Sequence, residues 1–366
     1  MLEKWTDLST FLAREHVYSS APTRLDCGGS TDHRLIGLLC RTWQPVTANI
    51  AIDLRAQISL RPYHTGRILV DINGFGQQEF TPPHLPLNGP FALVSALICY
   101  FGVHGFRVDI RTEFPFQSGL GGSGAVAVAL IGAIYTAVNH EAPQPRHFPS
   151  IVQIAHNLED SLFRNTGMQD QAAALYGGAN LWEWRYADRL NFRRRQLVSD
   201  LAGLNRHILL AYLGRPHVQT QNGSQMLGKF KETGALSLLV KISDQARKFA
   251  ESLKYHDYRS AGEALTEEYN LRSSLVPISL LDDAELLEMA SDTQCGMSVT
   301  GRGGGGCIWA IGERQDIARL KKQWIDAFER RKLGFLLPVN TTGSGLEVSL
   351  KRTANKREKV RSREYE

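Results

Sequence analysis

Residues 115–125 read Pro-Phe-Gln-Ser-Gly-Leu-Gly-Gly-Ser-Gly-Ala, a glycine-rich turn between two segments of different periodicity. The segment before it, 106–114, alternates apolar and polar residues, as a strand with one buried face does. The segment after it, 125–134, is almost continuously apolar and is predicted to be a helix. A strand, a glycine turn and a helix N-terminus together direct several free backbone N–H groups to one point, which suits an anion and above all a nucleotide phosphate.

Length and composition predict two domains. The chain has 366 residues, of which 43% are hydrophobic, enough for a large core and for more than one domain. A change to basic, less periodic sequence at 191–205 places the boundary near residue 200, with domains at 1–200 and 201–350. The last residues, 351–366, are basic and lack apolar periodicity, so they are predicted to be a disordered tail.

Charge, cysteine content and apolar runs argue against several classes of protein. The net charge of +5 is modest and no aromatic residues interleave the basic tail, so no nucleic-acid partner is expected. The five cysteines are odd in number and lack CxxC spacing, which favours reduced thiols in a cytoplasmic protein. The N-terminus lacks a signal-peptide core and the longest apolar run, 91–101, is too short to cross a bilayer, so no membrane association is expected.

Gly119 begins a literal G-x-G-x-x-G, the fingerprint of dinucleotide-binding Rossmann domains, but its surroundings disfavour that fold. A central Rossmann strand is apolar throughout, whereas 106–114 alternates. The next segment after the helix, 149–164, has the periodicity of a second amphipathic helix. A Rossmann unit requires a strand there, ending in an acidic residue that binds ribose.

Two further segments agree with a different phosphate-binding fold. Residues 21–33 read Ala-Pro-Thr-Arg-Leu-Asp-Cys-Gly-Gly-Ser-Thr-Asp-His, and residues 300–307 read Thr-Gly-Arg-Gly-Gly-Gly-Gly-Cys. Each alone is weak, because glycine runs often mark only a tight turn. Together with 115–125 they make residues 20–345 resemble the GHMP kinase superfamily, which includes galactokinase, homoserine kinase and mevalonate kinase.

The resemblance implies a fold, an activity and cofactors. The implied fold is α+β with two domains, an N-terminal half like ribosomal protein S5 domain 2 and a ferredoxin-like C-terminal half. The implied activity is that of a kinase that uses ATP and Mg²⁺ to phosphorylate a small molecule. The nucleotide is expected between the glycine segments, at the junction of the two halves.

The glycine-rich turn resembles the family's second motif, Pro-x-x-x-Gly-Leu-Gly-Ser-Ser-x-Ala, whose backbone cradles the ATP phosphates. The resemblance assigns this role to Pro115, Ser118, Gly119, Leu120, Gly121, Gly122, Ser123 and Gly124. Ser123 matches the serine whose hydroxyl reaches the magnesium ion, although a helix N-cap is a second role open to it. Gly122 replaces the first serine of the motif and Gln117 replaces a common glycine. These departures should remove one side-chain contact and leave the backbone cradle intact.

The reaction centre is expected to combine carboxylates with a cation. The family places a glutamate on the following helix and an aspartate eleven residues later, the separation of Glu159 and Asp170. The resemblance implies that Glu159 binds magnesium, with Asp160 as the rival ligand, and that Asp170 receives the proton of the substrate hydroxyl. Arg24 resembles the sugar-kinase arginine that faces this aspartate and the transferred phosphoryl group. Phosphoryl transfer depends mainly on such alignment and charge neutralisation.

The family's first motif, matched here by residues 21–33, points to the acceptor. Its Gly-Gly-Ser-Thr-Asp resembles the branch that contains L-fucokinase and D-glycero-D-manno-heptose 7-phosphate kinase, which phosphorylate an anomeric hydroxyl. A carboxylate such as Asp32 can accept hydrogen bonds from two vicinal sugar hydroxyls, and an Asx-type turn is its alternative role. The family's third motif, Gly-Ala-Gly-Gly-Gly, is matched by residues 301–305, where Arg302 replaces the alanine. Arg302 either contacts a phosphate or faces solvent. The implied substrate-binding residues are Gly29, Thr31, Asp32, His33, Arg302, Gly303 and Gly304, with Arg215 and His217 as further candidates.

The expected function is thus a cytoplasmic sugar or sugar-phosphate kinase, acting on a heptose 7-phosphate, a fucose-like sugar or a related cyclitol. A homodimer is left open. Two alternatives also stay open. A non-catalytic sensor of sugar and nucleotide on the same fold is favoured by Gly122 and Gln117. The second alternative is a kinase with a non-sugar acceptor. The polar first motif disfavours an apolar acceptor.

Overall fold

The framework of the protein is a large and a small β-sheet, each covered by helices. A computed structural model describes residues 5–29, 31–32, 36, 43–163, 166–185, 191–216, 234–275, 284–301 and 303–353. In chain order, the strands are β1 (Thr6–Asp7), β2 (Glu15–Cys27), β3 (Val46–Pro62), β4 (Ile68–Ile72), β5 (Gly76–Phe80), β6 (Val103–His104), β7 (Phe106–Thr112), β8 (Ala179–Arg185), β9 (Asn191–Val198), β10 (Ile208–Tyr212), β11 (Gly296–Val299), β12 (Cys307–Ile311), β13 (Phe335–Leu336) and β14 (Glu347–Arg352).

The helices of the described residues follow the same order. They are α1 (Ser9–Leu12), α2 (Ala92–Phe101), α3 (Gly122–Asn139), α4 (Phe148–Phe163), α5 (Gln169–Tyr176), α6 (Leu201–Leu204), α7 (Ala235–Lys254), α8 (Tyr258–Leu275), α9 (Ala284–Asp292) and α10 (Arg314–Arg331), with a short 3₁₀ turn at Pro145–His147.

In the described part of the chain the large sheet has eight strands, with the path β14-β2-β3-β7-β4-β5 and a β8–β9 hairpin attached through β3. β7, which leads into the glycine-rich turn, is a strand as predicted, and Phe106, Val108 and Ile110 are buried on its core side. β7 pairs antiparallel with β3 and parallel with β4. The alternation of β7 correctly excluded an all-parallel Rossmann sheet, but it did not reveal the parallel neighbour.

The predicted helix after the glycine-rich turn is the central helix α3. It packs on β2, β3 and the helices α4 and α5. Its composition and its 18 residues would also suit a membrane span, but 67% of them are buried inside the protein. A helix that is apolar on nearly every side is the form expected for one enclosed in a core.

The small sheet has the order β11-β12-β10-β13, and all its pairings are antiparallel. Helices α7 and α8 contribute Phe249, Leu253 and Leu265 to the core between the two sheets, where Trp309 of β12 also lies. Helices α9 and α10 contribute to a second apolar cluster around Trp324. The antiparallel sheet and its helices give this half the α+β architecture that the family resemblance implies.

The C-terminal strand crosses back to the large sheet. β14 pairs antiparallel with β2, from Glu347 opposite Ser20 to Arg352 opposite Glu15. The predicted second domain, 201–350, therefore ends in a strand of the first sheet. Lys351 and Arg352 continue that strand and do not belong to a disordered tail. The residues of the tail beyond 353 lie outside the described ranges, and the domain limits stay a prediction.

Candidate active site

A cavity of about 870 Å³ opens beside the glycine-rich turn. Apolar side chains from β4, α2 and β7 line part of it. Charged side chains from β2, from the segment that follows it, and from α4 and α5 line another part. The apolar group includes Ile72, Leu93, Val94, Ile110 and Phe116, and the charged group is Arg24, Asp32, Glu159 and Asp170.

The glycine segments that the sequence singled out meet at this cavity. The backbone N–H of Arg24, in the first segment, donates to the carbonyl of Leu120 in the second at 3.1 Å. The hydroxyl of Thr300, in the third, donates to the carbonyl of Ser118 at 3.0 Å. The N–H of Cys307 donates to that same carbonyl at 2.8 Å. These contacts join stretches far apart in sequence into one backbone cluster.

The glycines of the turn are required by close approach. Gly119 has φ +77°, and a Cβ there would lie 2.7 Å from the carbonyl oxygen of Thr300. Gly121 also has φ +77°, and a Cβ there would lie 3.0 Å from Cγ of Asp170. A side chain at either position would combine an unfavourable left-handed backbone with a collision. The turn therefore presents backbone to the cavity.

Ser123 lies in the first turn of α3 with an exposed side chain, and it lines the cavity. The N-cap of that helix is Gly121, and no side chain caps it. The alternative role of Ser123 as a helix cap is therefore wrong, because the helix starts two residues earlier than that role requires. Its hydroxyl is available to a ligand of the cavity.

The two departures from the motif have local explanations. Gln117 has φ +53°, a left-handed conformation that glycine adopts at less cost. A Cβ on Gly122 would overlap the ring of Phe114, two residues after the end of β7. The aromatic ring thus occupies the space that a serine side chain needs, and the backbone path of the turn is preserved.

Arg24 and Asp170 form a close pair. Nε and Nη2 of Arg24 both approach Oδ1 of Asp170, at 2.9 and 2.7 Å, and Nη1 donates to the carbonyl of Gly119 at 2.7 Å. Arg24 is only 3% exposed, whereas the Asp170 side chain is 28% exposed. Burial by itself lowers the pKa of Arg24, but Asp170 and Asp26 raise it above its ordinary value. The arginine is therefore charged and fixed, and its carboxylate partner can be reached from the cavity.

Asp32 is a buried carboxylate on the same cavity. Its Oδ2 accepts the backbone N–H of Gln169 at 2.9 Å, just before Asp170. Burial and the nearby charge of Asp170 raise the pKa of Asp32 to about 6, against the opposing effect of Arg24. A Cβ on Gly167 would overlap this carboxylate, so the glycine permits its approach.

Glu159 lines the cavity and Asp160 does not. Glu159 is 6% exposed and accepts a hydrogen bond from the amide of Gln171. Asp160 instead accepts the backbone N–H of Thr166 at 2.9 Å. Among the described residues there is no cluster of three or more His, Cys, Asp or Glu that could hold a metal alone. One carboxylate and one hydroxyl nevertheless fit Mg²⁺, which commonly takes few protein ligands and completes its shell with substrate phosphates and water.

Several predicted site residues lie away from the cavity surface. Thr31 is 1% exposed and donates to the carbonyl of Gly28 at 2.8 Å. Arg215 contacts the third glycine segment through its carbonyl, which accepts the N–H of Gly306 at 2.9 Å. The other predicted residues that do not line the cavity are Gly29, Leu120, Gly124, Gly303 and Gly304. His33, His217 and Arg302 lie outside the described residues.

Sequence reasoning missed a buried charged group behind the site. Asp26, Glu268 and Arg272 are at most 1% exposed, and Asp26 lies 3.1 Å from Arg24. Asp26 lies two residues after Arg24 in the first motif, so it projects from the same face of β2, which is the signal that could have found it. Glu268 and Arg272 have the spacing of an ordinary surface ion pair on a helix, which hides their burial.

Residues 90–178 match the sequence model of the GHMP kinases N terminal domain. This range contains the glycine-rich turn, Glu159 and Asp170. In this segment the chain is similar to the GHMP kinases.

Relatives and solved structures place the GHMP kinase fold along most of the chain. D-glycero-alpha-D-manno-heptose 7-phosphate kinase of Campylobacter jejuni is 24% identical, covering 90% of this chain and 98% of its own length. Mevalonate kinase of Methanothermobacter thermautotrophicus is 29% identical, covering 71% of this chain and 81% of its own. The structure of Lactococcus lactis galactokinase complexed with galactose superposes with a TM-score of 0.71, at 18% identity, covering 92% of this chain and 95% of its own. The predicted two-domain GHMP kinase fold is confirmed.

Proposed function

We propose that this protein is a kinase that transfers the γ-phosphoryl group of ATP to a hydroxyl of a sugar or sugar phosphate. The observation that carries the proposal is the Arg24–Asp170 pair, held against the glycine-rich turn on the cavity surface. A carboxylate, a fixed cation and a backbone cradle are the groups that phosphoryl transfer to an alcohol needs.

The nucleotide is assigned to the glycine-rich turn and the neighbouring apolar surface. The turn and the N-terminus of α3 offer free N–H groups to phosphate oxygens, and the helix dipole adds to that attraction. Ile72, Leu93 and Val94 line the same cavity and supply an apolar surface for a nucleobase. Gly119 and Gly121 keep side chains away from the phosphates.

Asp170 and Arg24 have different roles at the reacting hydroxyl. Asp170 accepts the proton as the acceptor oxygen attacks phosphorus, and it must be ionised to do so. Arg24 keeps that carboxylate oriented and offsets negative charge that develops between donor and acceptor. Because the Arg24 side chain is bound by Asp170, Gly119 and Asp26, this arrangement exists before substrate binds.

Mg²⁺ would be held by Glu159 and the Ser123 hydroxyl. When bound with ATP, the ion neutralises phosphate charge. Gln171 donates to one oxygen of Glu159 and fixes the orientation of that carboxylate. The chain itself supplies the oxygen donors and the backbone that orients the phosphates.

The acceptor is assigned to the carboxylate-rich part of the cavity. Asp32 and Asp170 are brought together there, and carboxylates bind the vicinal hydroxyls of a sugar well. The likeness to a heptose 7-phosphate kinase supports a sugar phosphate acceptor. The anomeric C1 hydroxyl is proposed as the phosphorylated group on the resemblance of the first motif. Of the cavity-lining residues that the structure describes, Arg24 is the only cation. An acceptor phosphate would therefore be bound by Arg302 or another residue outside the described ranges. A cytoplasmic location belongs to this proposal, and a homodimer remains open within it.

The test measures ADP formation with ATP, Mg²⁺ and a panel of acceptors. The panel contains heptose 7-phosphate, fucose, galactose, mevalonate and homoserine. ADP formation with one of the sugars, absent without acceptor, supports the proposal. Turnover with mevalonate or homoserine alone would contradict a sugar acceptor and support a non-sugar acceptor. The similarity to a mevalonate kinase is the reason for including that class in the panel. No turnover, combined with a sugar-dependent rise in Tm, would favour the non-catalytic sensor.

A further inference from the structure

Asp26 connects the reaction centre to the third glycine segment. It is fully buried on β2, and its Oδ1 lies 3.1 Å from Nη1 of Arg24. The same oxygen accepts the backbone N–H of Gly301 at 3.1 Å. Asp26 thus contacts the cation of the reaction centre and a backbone group of the cavity wall at once.

Arg272 binds the opposite side of Gly301. From α8, its Nη1 donates to the carbonyl oxygen of Gly301, and its Nη2 donates to the Ser298 hydroxyl at 3.0 Å. Glu268 pairs with this guanidinium, with 2.7 Å between Nε and Oε1. Both backbone polar groups of Gly301 are therefore bound by buried charged side chains, one from each half of the protein.

The contacts of Asp26, Gly301, Gly119 and Arg24 form a closed ring. A Cβ on Gly301 would lie 2.9 Å from the carbonyl oxygen of Gly119, so the two glycine segments touch there. That carbonyl accepts the hydrogen bond from Nη1 of Arg24. With Nη1 held by Asp26 and Gly119, the Nε–Nη2 edge of Arg24 is directed at Asp170.

Stability alone does not account for a carboxylate at this position. Burying an ion costs several kcal/mol, and apolar residues of similar volume are often as stabilising as a buried ion pair. A Cβ on Gly29 would overlap Oδ2 of Asp26, so the first motif also gives up a side chain to accommodate it. These facts favour a role in orientation.

We propose that Asp26 is a positioning residue, which orients Arg24 toward Asp170 and locks the third glycine segment against the phosphate-binding turn. The inference rests on the proposed function, because Arg24 and Asp170 form its reaction centre. It assigns to the first motif a second task beside substrate binding. It also links α8, through Arg272 and Gly301, to the geometry of the transfer step.

The first test is Asp26→Asn, which keeps the shape and an oxygen for the N–H of Gly301 but removes the charge beside Arg24. Asp53→Asn is the matched control. Asp53 lies on β3, accepts the backbone N–H of Asn340 at 2.8 Å and does not line the cavity. We expect Asp26→Asn to lower kcat at least tenfold, with the Kd for nucleotide within threefold of wild type. Asp53→Asn should leave kcat unchanged. A full kcat in Asp26→Asn, with only a lower Tm, would overturn the inference.

A double-mutant cycle tests whether Asp26 acts through Arg24. Lysine at position 24 keeps the charge but lacks the planar guanidinium fork that binds Asp170, Gly119 and Asp26 at once. In the Arg24→Lys background, Asp26→Asn should change kcat less than twofold. An equal fold-change in both backgrounds would contradict the positioning role.

If Asp26→Asn does not fold, Asp26→Ser takes its place, and failure of both to fold would overturn the inference in favour of a structural role. A wild-type protein without turnover on any acceptor would reject the proposed function itself. A wild type that turns over, with an Asp26→Asn variant equally fast, would reject only the inference.

Discussion

The phosphate-binding turn and the acceptor side of the cavity present different chemical groups, backbone in the first and charged side chains in the second. The turn, 115–125, contributes mainly backbone, and its glycines are held by contacts that a Cβ would break. The acceptor side contributes charged side chains from β2, from the segment that follows it and from α5, with Arg24 and Asp32 almost fully buried. A site made of backbone N–H groups is displaced when the course of the backbone changes. A site made of buried charged side chains is disturbed when one member of an ion pair is removed. The two regions should therefore respond differently to substitution, the first through nucleotide binding and the second through turnover.

The largest effect is expected for Asp170→Asn. The amide cannot accept the acceptor proton as a carboxylate does, so kcat should fall at least ~1,000-fold, which corresponds to about 4 kcal/mol of barrier. Nucleotide affinity should stay within threefold, because the turn is unchanged. Steady-state kinetics and nucleotide titration measure the two quantities. Asp160→Asn, which alters a carboxylate outside the cavity lining, should keep full turnover. A normal kcat in folded Asp170→Asn would remove the proposed base.

The next effect is a pH-dependent change in stability at Asp32. Burial raises its pKa to about 6, above the usual 3.8, so the folded state holds this proton more tightly than the unfolded state. Stability is therefore lost as pH rises from about 4 to about 6, and the full cost, about 3 kcal/mol at most, applies above pH 6. Asp32→Asn should raise the free energy of unfolding at pH 7.5 and lose that advantage near pH 4.

Chemical denaturation at several pH values checks this prediction. The control is again Asp160→Asn, since Asp160 also accepts one backbone N–H but is less buried. An Asp32→Asn variant whose stability gain is the same at pH 4 and pH 7.5 would show that the buried carboxylate is not the source of the difference.

A moderate effect is expected for Gly119→Ala. The left-handed backbone costs about 1 kcal/mol, and the collision with the carbonyl of Thr300 adds to it or displaces the turn. The nucleotide Kd should rise at least tenfold because the phosphate cradle moves. Gly66→Ala is the matched control, since Gly66 has φ +73° and nothing within 4 Å of a Cβ. It should lose stability without losing nucleotide affinity. Equal nucleotide Kd values in both variants would argue against the backbone cradle.

The smallest effect concerns the departure at Gly122. Gly122→Ser restores the serine of the family motif but collides with Phe114, so it should lower the free energy of unfolding by about 1 kcal/mol. Combined with Phe114→Leu, the same change should cost less than the sum of the two single changes. Denaturation of the four proteins in this cycle gives the coupling, and strict additivity would mean that the ring does not exclude the serine.

The sequence predicted the turn well because a backbone site leaves a glycine pattern that is readable over a few residues. Gly119, Gly121, Arg24 and Asp170 meet as the family motifs implied. Thr31 was harder to place, since a hydroxyl suits a sugar as well as the carbonyl of Gly28 that it binds. The Asp26–Arg272 group was missed because long-range burial decides its role. The return of β14 to the large sheet likewise depends on packing that local periodicity does not encode.

The most direct measurement of the central claim is a series of ³¹P NMR spectra of the wild-type protein with ATP, Mg²⁺ and each sugar or sugar phosphate of the acceptor panel in turn. We predict that the γ-phosphate signal of ATP is replaced by a sugar phosphate signal that couples to the anomeric proton, with ADP formed in equal amount. The same mixture with Asp170→Asn should retain its ATP. ATP that stays intact with every acceptor, or that yields only inorganic phosphate, would contradict the account.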